Sequence, residues 1–296
     1  MVVGTKRKTG LMTGILAAMC LLLSSCTSAP LLSQREIVHA VFFQQQGSRS
    51  TVLLLLADST QPAEAQETAY RTVTGSGENP AQALERAENS LDGQVFYGLM
   101  DLAVLPVSSD WQQAEEIARL LYDKTKPAPQ IVLFMLPAKQ GQSLVECAPA
   151  LYAEMESAQQ RYGLQNGLQM MFSQQNECAL PVWQGTGYGF AFLQKGKSNT
   201  VIETPLPAQL VAVLAGQADR LDCCFDQGKA AIQTQVSVQH EADASVLNAL
   251  HLTLGNPEIV DMSGEYRDQS QLQQTLCREL TQAFAAFVPG LYADRF

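Results

Sequence analysis

Few residue types in this chain could carry chemistry. There are three histidines, two glycine-rich runs, some neighbouring carboxylates and seven cysteines. His39, His240 and His251 each fall in an apolar or alternating run that predicts a strand. A histidine there is far more often an ordinary sheet residue than a base or a ligand. No H-E-x-x-H and no G-x-S-x-G occurs. Asp101 and Asp110 flank a predicted strand, and Glu115 and Glu116 lie on a predicted helix. Their spacing does not predict the close carboxylate pair that acid/base work needs. No catalytic residue, no metal site and no cofactor are expected.

The glycine runs fail as nucleotide sites. "GSGENP" at 75–80 precedes a helix, but Pro80 stands where a dinucleotide fingerprint needs its third glycine. "GTGYG" at 185–189 enters a strand, so it offers no helix N-terminus to a pyrophosphate.

The cysteines divide in two. Cys147, Cys178, Cys223, Cys224 and Cys277 are an odd set without a C-x-x-C, so a fully paired framework is excluded. Most read as buried small hydrophobes. A Cys147–Cys178 disulfide remains open, and the adjacent Cys223 and Cys224 have no histidine near them. Cys26 is different. Lys6, Arg7 and Lys8 precede a nearly uncharged run, Leu11 to Leu23, which ends in Ser24, Ser25 and Cys26. The run is shorter than the roughly 20 apolar residues of a comfortable membrane span. Basic cluster, short apolar run and small residues before a cut describe a secretory signal peptide over 1–25. Leu23-Ser24-Ser25-Cys26 resembles a bacterial lipobox, which implies that Cys26 becomes the lipidated first residue, with a linker over 26–34. Acyl chains each add about 0.8 kcal/mol per buried CH₂, so such an anchor needs no polybasic helper.

Cleavage there would remove three bases and no acid. It would leave 16 bases against 29 acids, a charge of −13. So acidic a body has no electrostatic footprint for a phosphate backbone, and nucleic-acid binding is not expected. Its contact with the lipid bilayer would run through the acylated N-terminus.

The elements that must position any site follow from punctuation and periodicity. Strand-like runs at 37–43 and 51–57 are separated by a polar turn, and a weaker one lies near 71–74. Asn79 and Pro80 open a helix that ends by Gly93. Residues 94–106 predict one buried strand, and Asp110 with Gln113 predicts a capped helix over 110–122. A strand over 130–136 and a helix over 149–162, with Pro149 in its first turn, come next. A second short helix would hold Leu168, Met171 and Phe172. Beyond an expected boundary near 184–187, Ile232 to His240 alternates like a strand with one wet face. "VLNALHLTL" at 246–254 is its expected partner, and a final helix carries Leu272, Leu276, Leu280, Phe284 and Phe287. The fold class is α+β: a mixed α/β layered domain over 35–184, then a smaller domain over 185–296 with an antiparallel sheet and a C-terminal helix.

Two segments carry a resemblance. "ALERAENSLDGQVFYGLMDLAVL" at 83–105 resembles the helix-to-strand signature of the Ger(x)C family, the C-subunit lipoproteins of spore germinant receptors. "LPVWQGTGYGFAFLQKGKS" at 180–198 resembles that family's passage into its C-terminal region. The likeness spans most of the chain after Cys26 as a hydrophobic pattern with a few words, and it contains no catalytic motif. It departs at Leu99, where members commonly carry His, and in a missing glycine after the second signature. Members also continue beyond a segment like "ADRF" at 293–296, so the expectation is a C-terminally shortened form. The resemblance implies a non-enzymatic, palmitate-bearing subunit on the outer face of the spore inner membrane. Its partners would be integral-membrane germinant-receptor subunits. The rival expectation is a solute-binding lipoprotein of an ABC-type importer, which needs two similar α/β lobes around a hinge. An uncovered sheet edge beside 229–240 and 246–254 is the expected docking surface.

Overall fold

The computed structural model describes residues 35–58, 69–127, 131–137, 143–162, 177–183, 188–202, 218–225, 230–240, 250–262 and 269–292, with Leu164, Leu168, Gln209, Leu210, Ala212 and Val213. Cys26, the predicted signal peptide and the linker lie outside them, as do Met171 and Phe172. Among the described residues no helix is long and apolar enough to cross a membrane.

The long apolar runs become strands that share one sheet. β1 (Arg35–Gln46) turns at Gly47 into β2 (Arg49–Ala57), and β3 (Tyr70–Gly77) pairs antiparallel with β2. Gly47 takes a φ of 59°, which suits the residue without a Cβ. The first helix, α1 (Pro80–Glu88), starts where Asn79 accepts from the Gln82 N–H at 2.9 Å. β4 (Gln94–Phe96) pairs with β1 off the main path, and β5 (Leu102–Pro106) lies parallel to β1.

The expected single strand over 94–106 is therefore broken. The Met100 N–H donates to the Tyr97 carbonyl at 2.9 Å and closes a turn there. An unbroken apolar run carries no period that distinguishes a strand from a buried turn. The second helix, α2 (Trp111–Leu120), begins with the expected capping box, Asp110 with Gln113, and runs into a π-helical turn, Leu121–Thr125. β6 (Val132–Leu136) extends the parallel set. α3 (Leu144–Tyr162) starts earlier than expected and carries Pro149 in its interior; Ser143 accepts from the Glu146 and Cys147 N–H groups at its start.

β7 (Glu177–Trp183) joins β6 in parallel, and β8 (Tyr188–Gln194) and β9 (Thr200–Ile202) follow antiparallel. The strand order is β3-β2-β1-β5-β6-β7-β8-β9. The second sheet holds β10 (Arg220–Phe225), β11 (Ala230–His240) and β12 (Leu250–Met262), all antiparallel, and α4 (Gln269–Tyr292) closes the order. The mixed sheet, small antiparallel sheet and C-terminal helix are the expected fold class. The expected boundary near 184–187 falls between β7 and β8, which pair with each other, and the second sheet begins only at β10. Of the edge expected beside 229–240 and 246–254, the first half is not there, whereas β12, which takes up 250–254, is an outer strand of its sheet. β11 is the central strand of its sheet, because both flanking segments are long enough to pair with it.

Strand alternation sends side chains to two cores. On one face Phe42, Leu53, Val104 and Phe134 meet α3 through Leu151 and Met155, together with Leu221, Val236, Leu276 and Leu280. On the other, Val41, Leu54, Leu105 and Met135 meet α1 and α2 through Leu84, Trp111 and Ile117. Leu84, Ile117 and Leu280 are buried as expected from their helix faces, whereas the side chain of Phe284 lies outside the described set. Cys147 packs against the first core and Cys178 is buried in the second. Both are thiols, and a disulfide between them is ruled out because the sheet lies between them.

Candidate functional site

Asp101 stands where the turn enters β5, and its backbone is held on both sides. Its N–H donates to the His39 carbonyl at 3.2 Å, and its carbonyl accepts from the Val132 N–H at 2.8 Å. This fixes its carboxylate at the amino end of the central parallel strands. His39 occupies the register shift between Val38 and Ala40 in the β1–β2 ladder. Such irregularities re-aim a side chain. The imidazole meets Tyr70 edge-on at 5.6 Å and Tyr152 at 6.1 Å, and the two tyrosine rings stand 5.3 Å apart. The Tyr152 hydroxyl, from α3, reaches both Asp101 oxygens at 3.2 Å.

An open cleft of about 320 Å³ lies beside this cluster, lined by Asp101, Glu156, Gln159, Leu164, Asp219 and Arg220 among others. Arg220 Nε is 3.8 Å from Asp219 Oδ1, and both side chains are about half exposed. So loose a surface pair contributes little.

The electrostatics favour neutral groups. Burial holds the His39 imidazole below its ordinary 6.5, against the opposing pull of Asp101 and Glu156. Burial raises the Asp101 carboxyl above 3.8, and Glu156 adds to this, while the Tyr152 hydrogen bond and His39 oppose it. Burial, with the charges of Asp101 and Glu156, raises the Tyr152 phenol, so it stays a hydrogen-bond donor. Among the described residues no set of three or more histidines, cysteines and carboxylates is arranged to hold a metal.

A second recess, of about 220 Å³, lies at the carboxyl end of β1 and β5, with Phe43, Gln45, Asn79, Pro106, Ser109 and Gln113 in its walls. Polar groups in and beside it are engaged in structure. Asn79 caps α1, Asp110 and Gln113 cap α2, and the Asn199 amide donates to the Val107 and Ser109 carbonyls. The 75–80 glycines are explained here as well. A Cβ on Gly75 would stand 2.3 Å from Ala83 O and Ala87 N, so glycine lets α1 rest directly on β3.

The residues singled out in the sequence thus have different fates. His39 and Asp101 come together. Asp110 lies at the far end of β5 from Asp101, and Glu115 is held low by Arg119. His240 and His251 sit in β11 and β12, as strand residues. Of "GTGYG", 185–187 lie outside the described residues and Tyr188 and Gly189 open β8. Tyr70 and Tyr152 were not foreseen. One begins a strand and the other lies on a helix face, and no local spacing links them.

No family model matches this chain. No curated protein matches it either. Among solved structures, the crystal structure of the GerBC protein is similar to it at 12% identity and a TM-score of 0.37, over 82% of this chain and 80% of that one.

Proposed function

We propose that the chain is a non-enzymatic lipoprotein subunit of a spore germinant receptor, tethered through Cys26 to the outer face of the spore inner membrane. In this role it is needed for nutrient-triggered germination and assembles with integral-membrane receptor subunits. The carrying observation is the coupling of a lipobox-like segment ending at Cys26 with the Ger(x)C-like segment 83–105. Two features support the reading. Segment 83–105 supplies Ala83, Leu84, Ala87, Tyr97, Met100, Ala103 and Leu105 to a single core face, so the resemblance falls on residues that organise the fold. Against the importer alternative, the described elements after β7 show no second strand–helix–strand lobe, only antiparallel pairing.

Two experiments test it. Metabolic fatty-acid labelling should mark the chain and be lost in Cys26→Ala. Mild-detergent extraction of spore membranes should co-purify integral-membrane receptor subunits with it. Recovery of the chain alone, with a small solute bound, would favour the importer reading instead.

A further inference from the structure

We propose that the amino end of the parallel strands forms a foot that seats on the bilayer, with Leu99 and Tyr122 entering the boundary between headgroups and acyl chains. The inference rests on lipidation of Cys26. Leu99 is 50% exposed and Tyr122 61%, which makes them the two most exposed large hydrophobic residues described. Leu99 lies in the turn before β5 and Tyr122 in the π-helical turn after α2, and one carboxylate joins the two. The Tyr97 hydroxyl donates to Glu88 Oε1 at 2.7 Å, and Lys124 Nζ lies 2.9 Å from Glu88 Oε2. Each apolar side chain is two residues from its segment's anchor, so Glu88, at the end of α1, holds both turns at one corner of the fold.

That corner adjoins the point where the chain enters the sheet. β4 pairs with β1, and the Asp101 N–H bonds to His39, four residues after β1 begins. Eight residues lie between Cys26 and Arg35, and whatever path they take the nine steps reach at most about 30 Å. An acylated Cys26 therefore holds the amino end of β1 within about 30 Å of the membrane.

Two features choose the bilayer over a protein as occupant. A pair of side chains is far below the roughly 800 Å² per partner of a stable protein interface. It is adequate when a covalent tether already supplies a high effective concentration. Tyrosine also suits the interface, where its ring is buried and its hydroxyl stays wet. The net acidic body is repelled by anionic lipid, so the contact depends on apolar insertion and should be stronger on zwitterionic vesicles.

The test uses full-length acylated protein in phosphatidylcholine vesicles with brominated acyl chains. Leu99→Trp, Tyr122→Trp and Val145→Trp are compared; Val145 is exposed at the start of α3, beyond the carboxyl end of β6. The native Trp111 and Trp183 are buried and give a constant background. Bromine should cause a loss of the added fluorescence at 99 and 122, as for a ring at the interface, and leave 145 unchanged. Equal quenching at all three, or none at 99 and 122, overturns the foot. Intact mass of the same samples reports acylation. An acylated Cys26 without quenching sinks the foot and leaves the lipoprotein reading standing, whereas an unmodified Cys26 sinks both.

Discussion

The two ends of the central parallel strands use polar groups in opposite ways. At the carboxyl end Asn79, Asp110 and Gln113 are spent on helix starts, and Gly75 and Gly77 let α1 lie against β3. At the amino end Asp101 and Glu156 are half-buried beside a cleft that Arg220 also lines, and the Tyr152 phenol and the His39 imidazole stand next to Asp101. The first arrangement is what folding needs. The second keeps titratable groups that folding alone does not require, because burial and like charge both work against an ionised Asp101. Removing polar groups from the carboxyl end should therefore cost stability, and removing charge from the amino end should not.

The largest effect is expected at Gly75. A methyl group there overlaps α1 backbone atoms at 2.3 Å, and backbone cannot swing aside as a side chain would. Gly75→Ala should lower unfolding free energy by about 3 kcal/mol, the upper range of overpacking. Chemical denaturation measures it. An unchanged midpoint would mean that α1 is loosely seated and that the carboxyl end is less structural than it looks.

This asymmetry was only half legible in the sequence. The caps were readable because a cap is local: Asn79-Pro80 and Asp110 to Gln113 each act within one helical turn. The amino-end cluster was not, because Tyr70, Asp101 and Tyr152 come from three separate elements. They meet only because β5 inserts beside β1, opposite the β2 side, and no local pattern encodes that pairing. The turn at 97–100 was hidden for another reason. Its Tyr97 and Met100 are buried, so the apolar run continues through a break in the strand. The start of α3 was missed because Pro149 was given its usual first-turn place, while Ser143 in fact opens the helix upstream.

A smaller loss is expected at the α2 cap. Asp110→Ala removes the acceptor for the Gln113 N–H, at 2.9 Å, and breaks the box. The cost should be about 1 kcal/mol, seen as a lower melting temperature. The matched change at the other end is Asp101→Asn. The amide oxygen can still accept from Tyr152, and the charge facing Glu156 is gone. Stability should stay within about 0.5 kcal/mol of wild type or rise. A loss larger than that of Asp110→Ala would reverse the comparison, since the amino-end carboxylate would then be structural.

The smallest effect is in pH dependence, and it tests the His39 cluster as a titrating unit. The folded imidazole takes its proton below 6.5, because burial outweighs the attraction of Asp101 and Glu156. Between 6.5 and that lower value the unfolded chain binds more protons, so stability contributed by His39 is present above 6.5 and is lost as pH falls. Asp101 has the opposite sign. Its folded value lies above 3.8, so its contribution is complete below 3.8 and is lost as pH rises through the raised value. Acidifying from neutral should first destabilise the protein through His39, and Asp101 should return part of that loss nearer the carboxylate range. His39→Gln should flatten the upper part of the profile. Asp101→Asn should steepen it, because the imidazole then loses a neighbour that raises it. Melting temperature followed by circular dichroism from neutral pH downwards separates the cases. Parallel profiles for wild type and His39→Gln would show that the rings around His39 serve packing alone, and the amino end would then differ from the carboxyl end only in its carboxylates.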